Sequence, residues 1–504
     1  MADKKLVVLV HGWSVQSTDT YGQLPDRLEA EAAKAGGPDI DIRNIWLGKY
    51  VSFRNEVRVE DIARAFEAAI RRELGPELDA GRRFAAITHS TGGPVMRDWW
   101  NRFYASKKGA GPCPMSHLIM LAPANFGSAL AQLGASTIGR LQSWFEGVEP
   151  GTGVLDWLEL GSPESWQLNQ TWAASKPTWT GAAPVFPFVL TGQSIDRKLY
   201  DHVNSYTGEI GSDGVVRVAS ANLNMVCVRL VQTAPRVDPK AKKEQWIAPE
   251  LELDGEPTIA PRTALAVLPG FSHSGKDMGI LRSIKRTGKH ATVDAVLACL
   301  RVTDAASYTA CCDAFDALTA KTQADEMIEK EDGWFHDAYF VHDRRTQLVV
   351  RLSDDHGYAL DNFDFLLLGP ENDPNHLPQG FFADRQRNKR NKGTVTYFLD
   401  YDVMLKSDAV VADGRTLREA SPGASELGFQ VVPRPDEGFV HYLPALFEAS
   451  TQTLKNFVKP NQTLLLDIVL RRVVRQGVFA LDRDRKPRKF AGDPPGAPIV
   501  GSDG

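Results

Sequence analysis

Short apolar runs alternating with stretches of helical spacing open the chain. Residues 6–10 (Leu-Val-Val-Leu-Val) are apolar throughout, the pattern of a strand covered on both faces of a parallel sheet. A helical stretch follows over 24–35, a second strand over 40–46, and apolar residues at helical spacing over 59–74. Residues 84–88 predict another buried strand, 94–105 another helix and 117–122 a further strand. This alternation predicts a mostly parallel sheet with helices on both faces. The sheet is expected to resume over 185–191 and again over 215–220.

Two regions break the pattern. The stretch 130–180 is rich in Gly, Ser and Trp without a clean period, and holds Trp144, Trp157, Trp166, Trp172 and Trp179, five of the 11 tryptophans. An insertion of this length between strands is more often functional than decorative. After about residue 300 a polar helical stretch over 304–331 leads into strand-like runs at 338–341, 346–352, 363–368, 394–399 and 463–470, with no strand-helix alternation. The expected organisation is an α/β domain over 1–300 carrying a cap-like insertion at 130–180, a smaller β-rich domain over 301–482, and a flexible tail over 483–504, which is charged and then Gly/Pro-rich. No internal repeat is visible.

Composition narrows the class. The 504 residues, 43% hydrophobic and 24% charged, have the balance of an ordinary globular protein. A net charge of −5 argues against a nucleic-acid partner read by a basic surface. No apolar run approaches the roughly 18–20 residues of a spanning helix. The N-terminus passes from residues 6–10 straight into His11-Gly12-Trp13, without a signal peptide's length or cleavage site, so a cytoplasmic or peripherally membrane-associated protein is expected. The five cysteines are odd in number and lack CxxC spacing, which fits a reducing compartment and no thiolate zinc site.

The chemistry concentrates in Phe84-Ala-Ala-Ile-Thr-His-Ser-Thr-Gly-Gly93, an apolar strand that runs into Ser90, then two glycines and a helix. A nucleophile elbow needs this layout: a sharp turn that lifts the serine hydroxyl above the sheet, flanked by small residues because the turn is crowded. Gly92 fills the position two after the serine, while Thr88 stands two before it where the usual pattern has glycine. His11-Gly12-Trp13, at the end of the first strand, occupies the place where an HG pair begins the oxyanion loop of an α/β-hydrolase fold, making the amides of Trp13 and Thr91 the candidate donors. On that fold the triad order is Ser, acid, His. Asp213, in the turn Gly211-Ser-Asp-Gly-Val-Val216, is the leading acid, with Asp196 and Asp201 as competitors. His273, on the Gly/Ser-rich loop 269–275 before a helix-like stretch at 278–284, is the leading base, with His290 second. His89 reads as a packing neighbour of the elbow rather than a base. No GxGxxG or P-loop occurs, so neither cofactor nor metal is expected.

Thr88-His-Ser-Thr-Gly-Gly93 resembles the THSTGG motif of the bacterial PlaB-type cell-associated phospholipases A, lipolytic α/β-hydrolases with an added C-terminal domain. The resemblance maps the family's nucleophile onto Ser90, and its acid and histidine onto Asp213 in Ser-Asp-Gly and His273 in Ser-His-Ser-Gly. It implies phospholipase A and lysophospholipase A activity through an acyl-enzyme, with phospholipid or lysophospholipid as partner, and self-association into a homo-oligomer. The rivals are a neutral-ester lipase or carboxylesterase and, from another class, a degenerate hydrolase fold serving as a binding scaffold. As substrate-binding residues we expect Trp144 and Trp157 of the insertion, set as a cap over the serine. Peripheral membrane contact would fall to the β-rich domain, through Phe381-Phe382 and the basic run 385–392 (Arg-Gln-Arg-Asn-Lys-Arg-Asn-Lys).

Overall fold

The computed structural model describes residues 4–11, 21–34, 39–46, 55–105, 107–109, 111–133, 151–196, 211–234, 236–237, 240, 246–247, 249–331, 338–436, 438–449, 454–474 and 491–492. Six strands make the first sheet: β1 (Lys5–His11), β2 (Ile40–Trp46), β3 (Phe84–His89), β4 (Met115–Leu121), β5 (Phe186–Thr191) and Ala264–Val267. Their order across the sheet is Ala264–Val267, β5, β4, β3, β1, β2, and every neighbouring pair is parallel. Such strands are apolar throughout because both faces are covered. Leu6, Val8 and Val10 enter one core while Val7 and Leu9 enter the other. The first core is closed by α2 (Val59–Asp79) and α3 (Gly92–Trp100), where Trp99 meets Phe66 edge-on at 5.0 Å and donates Nε1–H to Glu67 at 2.7 Å. The second is closed by α1 (Leu24–Lys34) with the helices Ala291–Leu300 and Ala305–Asp325.

A second sheet of seven strands is mixed. Met225–Gln232 lies parallel to Thr463–Leu470, which lies parallel to Arg345–Asp354; Thr394–Asp400 and then Phe382–Arg387 follow antiparallel. Leu251–Leu253 and Thr258–Ile259 pair with the other side of Met225–Gln232. A smaller antiparallel sheet, Phe363–Leu368, Gly428–Pro433 and Ala445–Phe447, shares its core. The division at residue 300 therefore does not follow the sheets. Three strands of the second sheet precede it, whereas the helix Ala305–Asp325 follows it yet packs on the first sheet, Thr319 Oγ1 accepting from Val267 N and donating to Leu265 O.

Three local expectations differ from the fold. Residues 215–220 form a turn and the short helix Val218–Ala221, because the Asp213 carboxylate takes the amides of Val215 and Val216 that a strand ladder would need. Residues 278–284 are turns, with Gly279 pressed against the backbone of Ser274 and Gly275. The helical stretch expected over 304–331 ends at Asp325 and gives way to a strand, Ile328–Glu331.

The described part of the insertion is a wedge between the sheets. Its helices Thr152–Leu158 and Pro163–Ala173 contribute Val154, Trp157, Trp166 and Trp172 to the first core. Their far side meets the basic run. Asn388 Nδ2 donates to Leu160 O at 3.1 Å, Lys389 N to Glu159 Oε1 at 2.8 Å, Asn391 Nδ2 to Gly161 O at 3.2 Å, and Arg390 pairs with Asp156 at 2.8 Å. Arg387 donates to the carbonyls of Asp361 and Phe363, and Arg385 lies over the Tyr397 ring. Phe381 is core, whereas Phe382, on an edge strand with a bulge, is 49% exposed.

Candidate active site

β3 delivers Ser90 at the C-terminal edge of the first sheet, and α3 begins two residues later. Ser90 has φ 54°, a left-handed conformation that costs a non-glycine residue free energy and persists only where its surroundings enforce it. The enforcement is visible. Ser90 N donates to Leu121 O at 3.0 Å, and Gly93 N to Ser90 O at 3.1 Å. A Cβ on Gly93 would stand 2.7 Å from Pro123 Cβ, so the turn admits no side chain there. A Cβ on Gly92 would stand 3.1 Å from Thr88 Cβ. The departure at Thr88 is thus accommodated by the bare Gly92 facing it.

Two loops converge on the serine. His273 Nε2 lies 3.0 Å from Ser90 Oγ, and His273 Nδ1 lies 2.9 Å from Asp213 Oδ2. His273 and Asp213 are buried, and Ser90 is 9% exposed. The other Asp213 oxygen accepts from Val215 N at 3.0 Å and Val216 N at 2.8 Å, while Asp213 O accepts from His273 N at 2.8 Å. The acid is therefore a fixed acceptor with one oxygen left for the imidazole. The histidine loop is pinned in turn: Gly192 lies directly under Phe271 O with no room for a Cβ, and Gly270 N donates to Glu326 Oε1. Burial raises the Glu326 carboxyl pKa.

The neighbouring candidates sort by geometry. His89 Nε2 lies 3.2 Å from His273 O, and its ring stands 4.9 Å from the His273 ring. Desolvation, helped by the His273 charge, pushes its pKa down to about 3. It is a neutral packing partner at ordinary pH. His290 bonds Ser283 Oγ at 3.1 Å and stacks near Phe271, away from the Ser90 bond. Thr91 is buried at the N-cap of α3, where the first amides of the helix have no intrahelical acceptor. Trp13, Trp144 and Asp201 lie outside the described residues. Trp157, 5% exposed, sits in the first core with one edge on a groove of about 460 Å³ bordered by Val59, Asp98, Arg102 and Leu168. Among the described residues no cluster of His, Cys, Asp and Glu would hold a metal, and no helix is long and apolar enough to cross a membrane. Two residues at the site were not picked out by sequence reasoning. Tyr21 donates its hydroxyl to the carbonyls of Val10 and Ile87, and Arg217 closes the acid loop. A single arginine inside the apolar run 215–221 was the only signal for the latter.

A serine whose hydroxyl hydrogen-bonds an imidazole, itself oriented by a buried carboxylate, is equipped for nucleophilic attack with general-base assistance. No family model matches the chain, and no curated protein does so significantly. Among solved structures, the phospholipase PlaB of Legionella pneumophila matches at 42% identity and TM-score 0.82, covering 99% of this chain and 100% of that one. The same phospholipase in complex with thio-NAD matches at 41% identity and TM-score 0.81, covering 98% and 99%. Identity at this level over the full length of both chains carries fold and family together, so the chain belongs to the family of PlaB-type phospholipases and has their α/β-hydrolase fold with a β-rich second domain.

Proposed function

We propose that the chain is a serine acyl hydrolase that cleaves the carboxylic esters of phospholipids and lysophospholipids. The observation that carries this reading is the unbroken line from Ser90 Oγ through His273 to Asp213, on a strained strand-turn-helix. Ser90 Oγ attacks the ester carbonyl carbon as His273 Nε2 takes the hydroxyl proton. The tetrahedral intermediate collapses, the carbon–oxygen bond to the glycerol side breaks, and His273 returns the proton to the leaving alcohol. Water, deprotonated by the same nitrogen, then attacks the acyl-enzyme and releases the fatty acid and Ser90. Asp213 keeps Nδ1 protonated and stabilises the imidazolium in both halves. The Thr91 and Trp13 amides hold the oxyanion, each worth about 3–4 kcal/mol in such a site. A fluorophosphonate that labels the wild type but not Ser90→Ala, together with turnover of phospholipid and lysophospholipid above triglyceride, is the expected result. Preference for triglyceride would favour a neutral-ester lipase instead.

Peripheral membrane contact and homo-oligomer formation belong to the same reading. The substrate class requires access to a lipid surface, and partial insertion of apolar side chains provides it without a spanning helix. Phe382 and Ile259, exposed on the two edge strands of the second sheet, offer apolar side chains for either contact. The relative's complex with thio-NAD leads us to expect that this chain also binds a nicotinamide dinucleotide. Ester hydrolysis transfers no electrons, so the dinucleotide would be a ligand and not a reactant.

A further inference from the structure

The loop that carries Asp213 is gripped from the second sheet. Arg217 pairs with Ser212 across the turn, so Asp213 lies between two residues of one small ladder. The Arg217 guanidinium carbon stands 3.8 Å from the centre of the Phe398 ring, and Arg217 Nη2 lies 3.4 Å from Asp384 Oδ2. Phe398 is 1% exposed and packs with the buried Leu160 of the wedge and Ala129 just before it. At the other end of the loop, Gly211 lies against the stem of Arg345, which is ion-paired with Asp400. Gly211 O accepts from Val218 N at 3.1 Å, tying the two ends together. Asp384, Phe398 and Asp400 stand on neighbouring strands of the second sheet.

We propose that Arg217, held on the Phe398 face and by Asp384, is a positioning residue that sets the direction of Asp213 towards His273. This rests on the Ser90–His273–Asp213 reading. Arg217 acts through the loop, its guanidinium held on Phe398 and Asp384. A buried cation is a costly way to fill space, since an apolar side chain of the same length would pack on Phe398 without a desolvation penalty. What the guanidinium adds is direction. A planar group stacked on a ring and hydrogen-bonded at its rim tolerates little rotation, whereas an alkyl chain slides. The position of the loop relative to the first sheet is thereby fixed by residues more than 160 positions further along the chain.

The test uses the full-length protein and a short soluble p-nitrophenyl ester, with active sites counted by complete fluorophosphonate labelling. Phe398→Leu removes the ring face. Its kcat per labelled site should fall roughly tenfold with KM unchanged, short of the hundredfold that an ångström of misplacement can cost. The acidic limb of its kcat/KM profile should move to lower pH, because an imidazolium less well served by Asp213 loses its proton more readily. Phe398→Tyr, which keeps the face, should restore both readouts. Asp384→Asn, on the partly exposed edge strand, should move both in the same direction by less. A loss of stability alone would lower the number of labelled sites and leave kcat per site and the pH limb where they were, which would overturn the proposal. An unmoved limb beside a lowered kcat would overturn it as well. Hydrolysis that survives Ser90→Ala in the same assay would instead overturn the reading of the site itself, and the positioning role with it.

Discussion

The two sheets treat the same three residues differently. The first sheet builds the candidate nucleophile alone: strand, left-handed Ser90, two bare glycines and helix all come from residues 84–100, with Leu121 and Pro123 as local support. Asp213 and His273, the candidate acid and base, are held by what packs outside that sheet. Asp213 sits on a loop clamped by Phe398, Asp384 and Arg345, and the His273 loop is anchored by Glu326. A strained serine needs immediate neighbours that deny it alternatives, so it is encoded in one contiguous stretch. A hydrogen-bonded line between distant loops needs a frame, and the second sheet supplies much of it.

The largest expected effects lie on the line itself. Ser90→Ala and His273→Ala should each lower kcat by about 10⁶-fold, with the double variant hardly worse, because residues acting in one step do not add. Asp213→Asn should cost about 10⁴-fold, as a carboxamide favours the wrong tautomer, whereas Asp196→Asn should leave turnover within a few fold. If His290→Ala lost activity while His273→Ala kept it, the contrast between the two loops would collapse.

Next comes Trp157→Ala, which empties a site in the first core. About 3–5 kcal/mol of stability should be lost, read as a lowered midpoint of denaturant unfolding. Turnover of long- and short-chain esters by the folded fraction should fall alike. A loss confined to long chains would return Trp157 to the acyl pocket and make the wedge part of the substrate site.

Gly192→Ala should be milder and more pointed. A methyl group there displaces Phe271 O and the histidine loop with it. A fall in kcat of about 10- to 100-fold with little change in KM is expected, while Gly181→Ala, in open space, should cost only conformational strain at its φ of 99°. Equal effects of the two on kcat would show that the histidine loop is not held as tightly as its packing indicates.

The smallest effect on turnover comes from a residue that governs acid sensitivity instead of catalysis. His117 on β4 is 3% exposed and bonds Val302 O at 2.9 Å. Desolvation, with Lys5 beside it, pushes its pKa down to about 3. The unfolded chain therefore binds a proton that the native state refuses between about pH 6.5 and 3. Stability should fall as pH drops through that window, by about 1.4 kcal/mol per pH unit from this residue. His117→Asn should flatten the slope by that amount.

How much of this the sequence discloses follows the same division. The apolar runs at 6–10, 84–88 and 117–122 announce a sheet buried on both faces because each signal is local. Ser90, Asp213 and His273 stand out because elbow, turn and loop chemistry are written within a few residues of each, and the structure brings all three within hydrogen-bonding distance. The placement of Met225–Gln232 is not legible. Its partner Thr463–Leu470 lies some 240 positions away, and nothing within the strand names the sheet it joins. The partners of the basic run 385–392 are not legible for the same reason: Asp156, Glu159, Leu160 and Gly161, which meet its residues 388–391, come from the wedge. Arg217 shows the limit most sharply, since an arginine in an apolar run declares a need for a partner without saying which.

The pairing of Met225–Gln232 with Thr463–Leu470 also sets when the second sheet can close during synthesis. Ribosomes add residues from the N-terminus at about 5–20 per second. Ser90, Asp213 and His273 have all emerged while roughly 200 residues, including the strand that completes the second sheet, are still to be made; at that pace the interval is about 10–40 s. Throughout it the turn at Ser90 can form, but Met225–Gln232 waits for its parallel partner. A nascent chain thus holds all six strands of its first sheet before the second can close, a sequence of assembly written into the order of the strands.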